Sequence, residues 1–249
     1  MLSHSPTRYH SSVTCFSENL ARVEARITAA CRRAGRPRSR VRLMAVSKTH
    51  PSEAIAEAAA AGVKLFGENR VQEFEAIVPR LRSLIPSPAE IHLIGHLQSN
   101  KSARAAELFD AIDTVDSLRL AERLHEAAAR LCKTLPILVE IKLSPESAKS
   151  GLVPDSAELL ALLDRLPDLR HLAVRGLMTI APMDENPRTA RTCFRQLRQL
   201  RDRLVLAHPL LDFSQLSMGM SGDFEIAIEE GSTVIRLGTA LFGDRPRTR

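Results

Sequence analysis

The chain has 249 residues, enough to bury a large core as one barrel or to form two small domains. With 44% hydrophobic and 26% charged residues it reads as an ordinary soluble protein, and no apolar run approaches the roughly 18 residues of a membrane helix. The net charge of +6 is spread over many helical segments and the tail residues Arg245, Arg247 and Arg249 without interleaved aromatics, so a solvated surface is expected rather than a nucleic-acid face.

Residues 1–15, MLSHSPTRYHSSVTC, lack the apolar stretch and basic cluster of a secretory signal and read as a disordered tail. Cys15, Cys31, Cys132 and Cys193 are scattered without ligand or CxxC spacing, which suits reduced thiols in a cytoplasmic protein better than disulfides or a metal site. A first helix is predicted on the apolar stripe Leu20, Val23, Ile27, Ala30 and Cys31. From residue 41 short apolar runs then alternate with helical patterns. The expected strands are Arg42–Lys48, Lys64–Asn69, Ile91–Gly95, Ala111–Val115, Ile137–Leu143, Val174–Thr179, Phe213–Met218 and Val234–Leu241.

Helical spacing between them is plain in Ala121, Leu124, Ala128 and Leu131, and again in Phe194, Leu197, Leu200 and Leu204. Ser52, Ser117 and Asp155 are expected to cap helix N-termini, and Gly62 to stop a helix. Eight strands separated by helices predict an α/β protein, a single (β/α)8 barrel over residues 16–249 with an extra N-terminal helix. The alternative is an open doubly wound sheet, but no glycine-rich dinucleotide loop follows the first strand.

The chain contains 29 Arg but only six Lys, and one of the six, Lys48, closes the first apolar strand. Period-two alternation puts Lys48 on the face of Met44 and Val46, at the barrel end that faces an active mouth. Partial desolvation there favours the neutral amine, a nucleophile that attacks aldehydes, whereas arginine cannot form an imine. A surface lysine at a strand end is the plainer alternative.

The last quarter offers two candidate phosphate-binding turns, Ser217–Ser221 after strand seven and Gly238–Thr239 at strand eight. Taken singly, these glycines could be turn residues only. Arg236 alternates onto the inner face with Val234 and Gly238 and needs an acceptor, either a carboxylate or a ligand ring nitrogen. Asn69, His96, Gln98 and Asn100 are expected at the same mouth. His92 and His96 show no carboxylate or cysteine at ligand spacing, so no metal site is expected.

Together AVSKTHP, FGENRVQE, HLIGHLQSNK, SAKSGL, GLMTIAP and LSMGMSGDFEIAIEEGSTVIRLGTALFG resemble the pyridoxal phosphate homeostasis protein family, from about residue 16 to residue 245. Leu93 and Leu237 stand where that family usually carries larger or branched apolar residues. The resemblance implies a barrel similar to the N-terminal domain of alanine racemase, the fold type III arrangement. It implies pyridoxal 5′-phosphate (PLP) held as an aldimine on Lys48, with Arg236 facing the pyridine nitrogen. It further implies that Asn69, Met178, Ser217, Gly238 and Thr239 help hold the cofactor.

No residue is assigned a catalytic role. A racemase needs an acid/base group on each face of the substrate–PLP plane, yet the sequence has a single tyrosine, Tyr9, in the tail, and no second, all-β domain. A cation beside the pyridine nitrogen also weakens PLP as an electron sink. The expectation is a PLP carrier in intracellular vitamin B6 homeostasis, with an amino-acid racemase as the alternative and a Schiff-base aldolase behind both. Its expected partners are PLP and PLP-dependent apo-enzymes that receive it, with no nucleic acid and no membrane; it is expected as a monomer or weak dimer.

Overall fold

A computed structural model describes residues 16–85, 89–144, 150–184 and 186–243. The expected disordered tail, with Tyr9 and Cys15, and the C-terminal arginines lie outside the described residues. Eight parallel strands close in sequence order, β1 pairing with both β2 and β8. They are β1 Arg42–Val46, β2 Leu65–Glu68, β3 Glu90–Leu93, β4 Ala111–Val115, β5 Leu135–Glu140, β6 Leu172–Met178, β7 Gln215–Ser217 and β8 Val234–Leu237.

Helices α1 Phe16–Arg33, α2 Ser52–Ala60, α3 Val71–Leu84, α4 Ser102–Leu108, α5 Leu118–Arg130, α6 Ala157–Arg165, α7 Pro187–Ala207, α8 Phe224–Glu229 and α9 Thr239–Phe242 accompany them. The expected extra helix is α1, which buries Val23, Ile27, Ala30 and Cys31. Among the described residues no helix is long and apolar enough to cross a membrane.

Alternation along each strand divides the protein into two cores. Outward side chains such as Phe66, Leu93, Ile112, Val139, Leu177 and Ile235 join the helices in one continuous apolar shell. Each fully buried side chain of that size stabilises the fold by about 1.5–3 kcal/mol. The lumen holds a much smaller apolar layer of Met44, Leu65 and Val234, with Ile94 against it. Charged and polar residues occupy the lumen above and below that layer.

The helix ends match the sequence in part. Ser117 caps α5, accepting from the Leu120 amide at 3.3 Å. Gly62 follows α2 as expected: the Gly62 amide donates to Ala59 O and the Val63 amide to Ala58 O, a Schellman closure. Ser52 does not cap. It is the first helical residue, Pro51 holds the cap position, and the Ser52 hydroxyl donates instead to Ile77 O of α3. Asp155 also fails as a cap, because Ser156 takes that role for α6. Asp155 adopts a left-handed φ of 61° and pairs with Arg203.

Candidate functional site at the barrel mouth

The expected first and last strands are shorter in the structure, and the difference shapes the mouth. β1 ends at Val46, so Lys48 is not a strand residue but lies two positions further on, half-buried in the turn to α2. The next residue, Thr49, has a φ of 68°, a left-handed conformation uncommon outside glycine. The turn is pinned on both sides: the Ser47 amide donates to Gly67 O at 3.1 Å, and the His50 amide to Ser47 O at 3.0 Å. The His50 ring stacks on Phe242 of α9 at 4.5 Å, joining the Lys48 turn to the end of the barrel's last unit.

β8 likewise stops at Leu237, and Gly238 and Thr239 open α9. A side chain at Gly238 would meet only Val46, at the ordinary contact distances of 3.5 and 3.6 Å. Packing therefore leaves room at this position, as close approach of a ligand would require. The loop after β7 lies against it, for the Ala240 amide donates to Ser221 Oγ at 3.3 Å. That loop is held in turn by the Met220 amide on Asp223 Oδ1 and by the Arg236 amide on Gly219 O. Gly219 has a φ of 98°, and a Cβ there would lie 2.5 Å from the Ala227 side chain, so glycine is required. The two turns singled out in the sequence thus meet at one place.

Below them sits Arg236, only 4% exposed. It donates to Ser217 Oγ and to Thr179 O, both at 2.8 Å and both neutral. Neither acceptor expected from the sequence, a carboxylate or a ligand nitrogen, is required to hold it in place. No carboxylate of the described residues lies within ion-pair distance. Burial pulls the guanidinium below its usual pKa, and the more distant charges of Asp113, Asp223 and Glu140 oppose this. Because Arg236 donates to the Ser217 oxygen, the serine's own proton remains available to a ligand.

Met178 is buried and stands in register with Ser217 on one side and Glu140 on the other, which places it on the same lumen wall. Asn69 is half-buried just past β2, beside the turn that carries Lys48. The backbone of Gly95 packs closely on it: a Cβ at Gly95 would fall 2.2 Å from Asn69 O. Lys48, Gly238, Thr239 and Asn69 thus lie around the rim, with Arg236, Ser217 and Met178 beneath.

Several functional-looking residues escaped the sequence reading. Glu68, 2% exposed, accepts from Ser47 Oγ at 2.5 Å, one residue before Lys48. Burial pushes its carboxyl up to about 7, against the Ser47 hydrogen bond. Glu140 accepts from Ser150 Oγ with both oxygens, at 3.0 and 3.1 Å. The two histidines do have carboxylate partners, supplied by the neighbouring strand β4 and the residue just beyond it: His92 Nδ1 lies 3.0 Å from Asp113 Oδ1, and His96 Nδ1 3.1 Å from Asp116 Oδ2. The signal was present as charged residues inside apolar strands, in AIDTV and LPILVE. Linear spacing cannot show that neighbouring strands place such residues side by side.

The alanine racemase N-terminal domain family matches residues 19–246. The pyridoxal phosphate homeostasis protein of Vibrio cholerae is 43% identical over 93% of this chain and 97% of its own length. That of Escherichia coli K12 is 44% identical over 92% and 96%. Among solved structures, PipY of Synechococcus elongatus with PLP bound is 42% identical, with a TM-score of 0.80 over 92% of this chain and all of PipY. Alanine racemase of Clostridium difficile, 17% identical with a TM-score of 0.70, covers 93% of this chain and shares the fold. The expectation drawn from the six sequence motifs holds: the chain belongs to the pyridoxal phosphate homeostasis protein family, within the wider family of the alanine racemase N-terminal domain.

Proposed function

We propose that this chain holds PLP covalently as a Schiff base on Lys48 and serves as a cytoplasmic carrier in PLP homeostasis rather than as a catalyst. The observation that carries the reading is the convergence at one mouth of a half-buried lysine, a dry guanidinium with neutral partners, and two linked turns. The residues suit the cofactor. Lys48 supplies the amine for the aldehyde. The turns at Ser217–Ser221 and Gly238–Thr239 receive the phosphate, and Arg236, with Met178 and Asn69, borders the ring. Bound PLP would supply an electrophilic carbonyl carbon and an electron-withdrawing ring.

Arg236 favours the carrier role. A fixed cation beside the ring nitrogen disfavours its protonation and weakens the sink that carbanion chemistry needs. A racemase would also need an acid/base group on the face opposite Lys48, and the sequence offers no tyrosine after Tyr9. The exposed His96–Asp116 pair is the mouth's candidate for that second group, so a racemase remains the competing reading.

The test follows Cα–H exchange of L-alanine in deuterated water with the PLP-loaded protein, alongside alanine racemase. Activation of a PLP-dependent apo-enzyme is measured in parallel against free PLP. The carrier reading expects recipient activation with exchange no faster than free PLP gives. Exchange near the racemase rate would overturn it, and a load that never reaches the recipient would remove delivery from the role.

A further inference from the structure

The segments that follow β1 and β2 carry two of the rim residues, Lys48 and Asn69, and a buried carboxyl that the cofactor reading does not use joins them. The last register pair of the two strands is Val46 with Gly67, and the backbone ladder ends one step later, where the Ser47 amide donates to Gly67 O at 3.1 Å. Beyond that point the link passes to side chains, for Ser47 Oγ donates to Glu68 Oε1 at 2.5 Å. Ser47 is as deeply buried as Glu68. The residue after Ser47 is Lys48, and the residue after Glu68 is Asn69.

Ser47 anchors the lysine turn. Its amide, its carbonyl and its hydroxyl are all engaged, the carbonyl by the His50 amide at 3.0 Å, and the left-handed Thr49 lies inside the loop closed by that bond. Glu68 is fixed from the other side, since the Ile94 amide donates to its backbone carbonyl at 2.9 Å. Alternation puts the Glu68 side chain on the Phe66 side of β2, behind the barrel wall and away from the lumen layer that Leu65 joins. There it meets the turn rather than a ligand in the mouth. A hydroxyl bonded to an ionised carboxylate is held roughly twice as strongly as one bonded to a neutral acceptor.

We propose that Glu68 is a positioning residue for Lys48: the ionised carboxylate, acting through Ser47, holds the turn from which the amine meets its aldehyde, and a proton on Glu68 loosens that turn. Burial pushes the carboxyl up to about 7, with the charge of Glu73 on α3 acting in the same sense and the Ser47 hydrogen bond and the charge of Lys48 opposing it. The hold on the turn therefore weakens as the pH falls through neutrality. The consequence for PLP rests on the cofactor reading; the bracing of the turn does not.

Glu68→Gln keeps the shape of the side chain and an acceptor oxygen while removing the charge. Two readouts follow the turn: protection of the His50 amide against hydrogen exchange in cofactor-free protein, and the rate of imine formation with added PLP. At about pH 8 both should be severalfold lower in Glu68→Gln than in wild type. By about pH 6, where wild-type Glu68 is itself protonated, the two proteins should converge. A deficit of equal size at both pH values would mark a packing defect and overturn the proposal, as would a folded Glu68→Gln that matches wild type at pH 8. If Glu68→Gln does not fold, Ser47→Ala decides: His50 protection severalfold lower at pH 8 supports the proposal, and unchanged protection overturns it. A wild-type protein that forms no imine on Lys48 would sink the PLP reading, while the His50 amide would still decide the bracing.

Discussion

At the N-terminal end of the lumen Arg42, Glu90, His92 and Asp113 neutralise one another in contact, whereas at the C-terminal end Arg236 is held by a hydroxyl and a carbonyl. Both ends bury ionisable groups within the same eight strands, so the difference lies in what each end leaves unsatisfied. Charges paired in contact chiefly stabilise the barrel, although Asp113 Oδ2 is left without a hydrogen-bond partner among the described residues. A cation fixed by neutral oxygens, beside a lysine and two turns, keeps its field for something that enters the mouth. Stability therefore resides mainly at one end and binding mainly at the other.

The largest contrast is expected from truncations at the two ends. Asp113→Ala leaves the His92 cation buried without its partner, and breaking a buried pair costs about 3–5 kcal/mol. Lys48→Ala, in a half-buried turn, should cost only about 1 kcal/mol, the ordinary size of a single substitution. Urea unfolding of both variants without cofactor is the measurement. Equal losses would erase the proposed division.

The pH dependence should follow the N-terminal end. The folded-state pKa of His92 is raised to about 9, above its ordinary 6.5. Its contribution is therefore fully present below about pH 6.5 and is lost as the pH rises through 9. At about 1.4 kcal/mol per unit the contribution is on the order of 3 kcal/mol. The melting temperature of cofactor-free protein should fall between pH 7 and 10, and His92→Gln should flatten that fall. An equal fall in the variant would place the titration elsewhere.

Smaller effects are expected at the mouth. Ser217→Ala removes one acceptor of a buried guanidinium, a loss of about 1–3 kcal/mol, and should also weaken PLP retention. Thr239→Val, at an exposed position, should leave stability within about 0.5 kcal/mol of wild type and yet accelerate PLP loss. A Thr239→Val protein that retains PLP as wild type does would remove that residue from the phosphate site.

How far the sequence could be read follows from the same physics. The shell was legible because period-two strands and 3.6-period helices are local patterns, as in Leu197, Leu200 and Leu204. The mouth was legible as motifs, since Lys48, Gly238 and Thr239 stand out by residue type against their surroundings. Strand ends were not: the turn at Thr49, left-handed, and the helix opening at Thr239 are joined by the stacking of His50 on Phe242, a contact between residues far apart in the chain. The Asp113–His92 pair was hidden for the same reason, because the register of β3 on β4 is a tertiary property. Asp155 does not cap α6 because Ser156, one residue later, presents the same kind of acceptor with a backbone suited to the role.

Covalent capture of PLP at Lys48 is tested by borohydride reduction of the loaded protein followed by peptide mapping of the pyridoxyl label. The label is expected on the peptide containing Lys48, with no stable imine absorption in Lys48→Ala. A label mainly on another lysine, or an unchanged absorption band in Lys48→Ala, would contradict it.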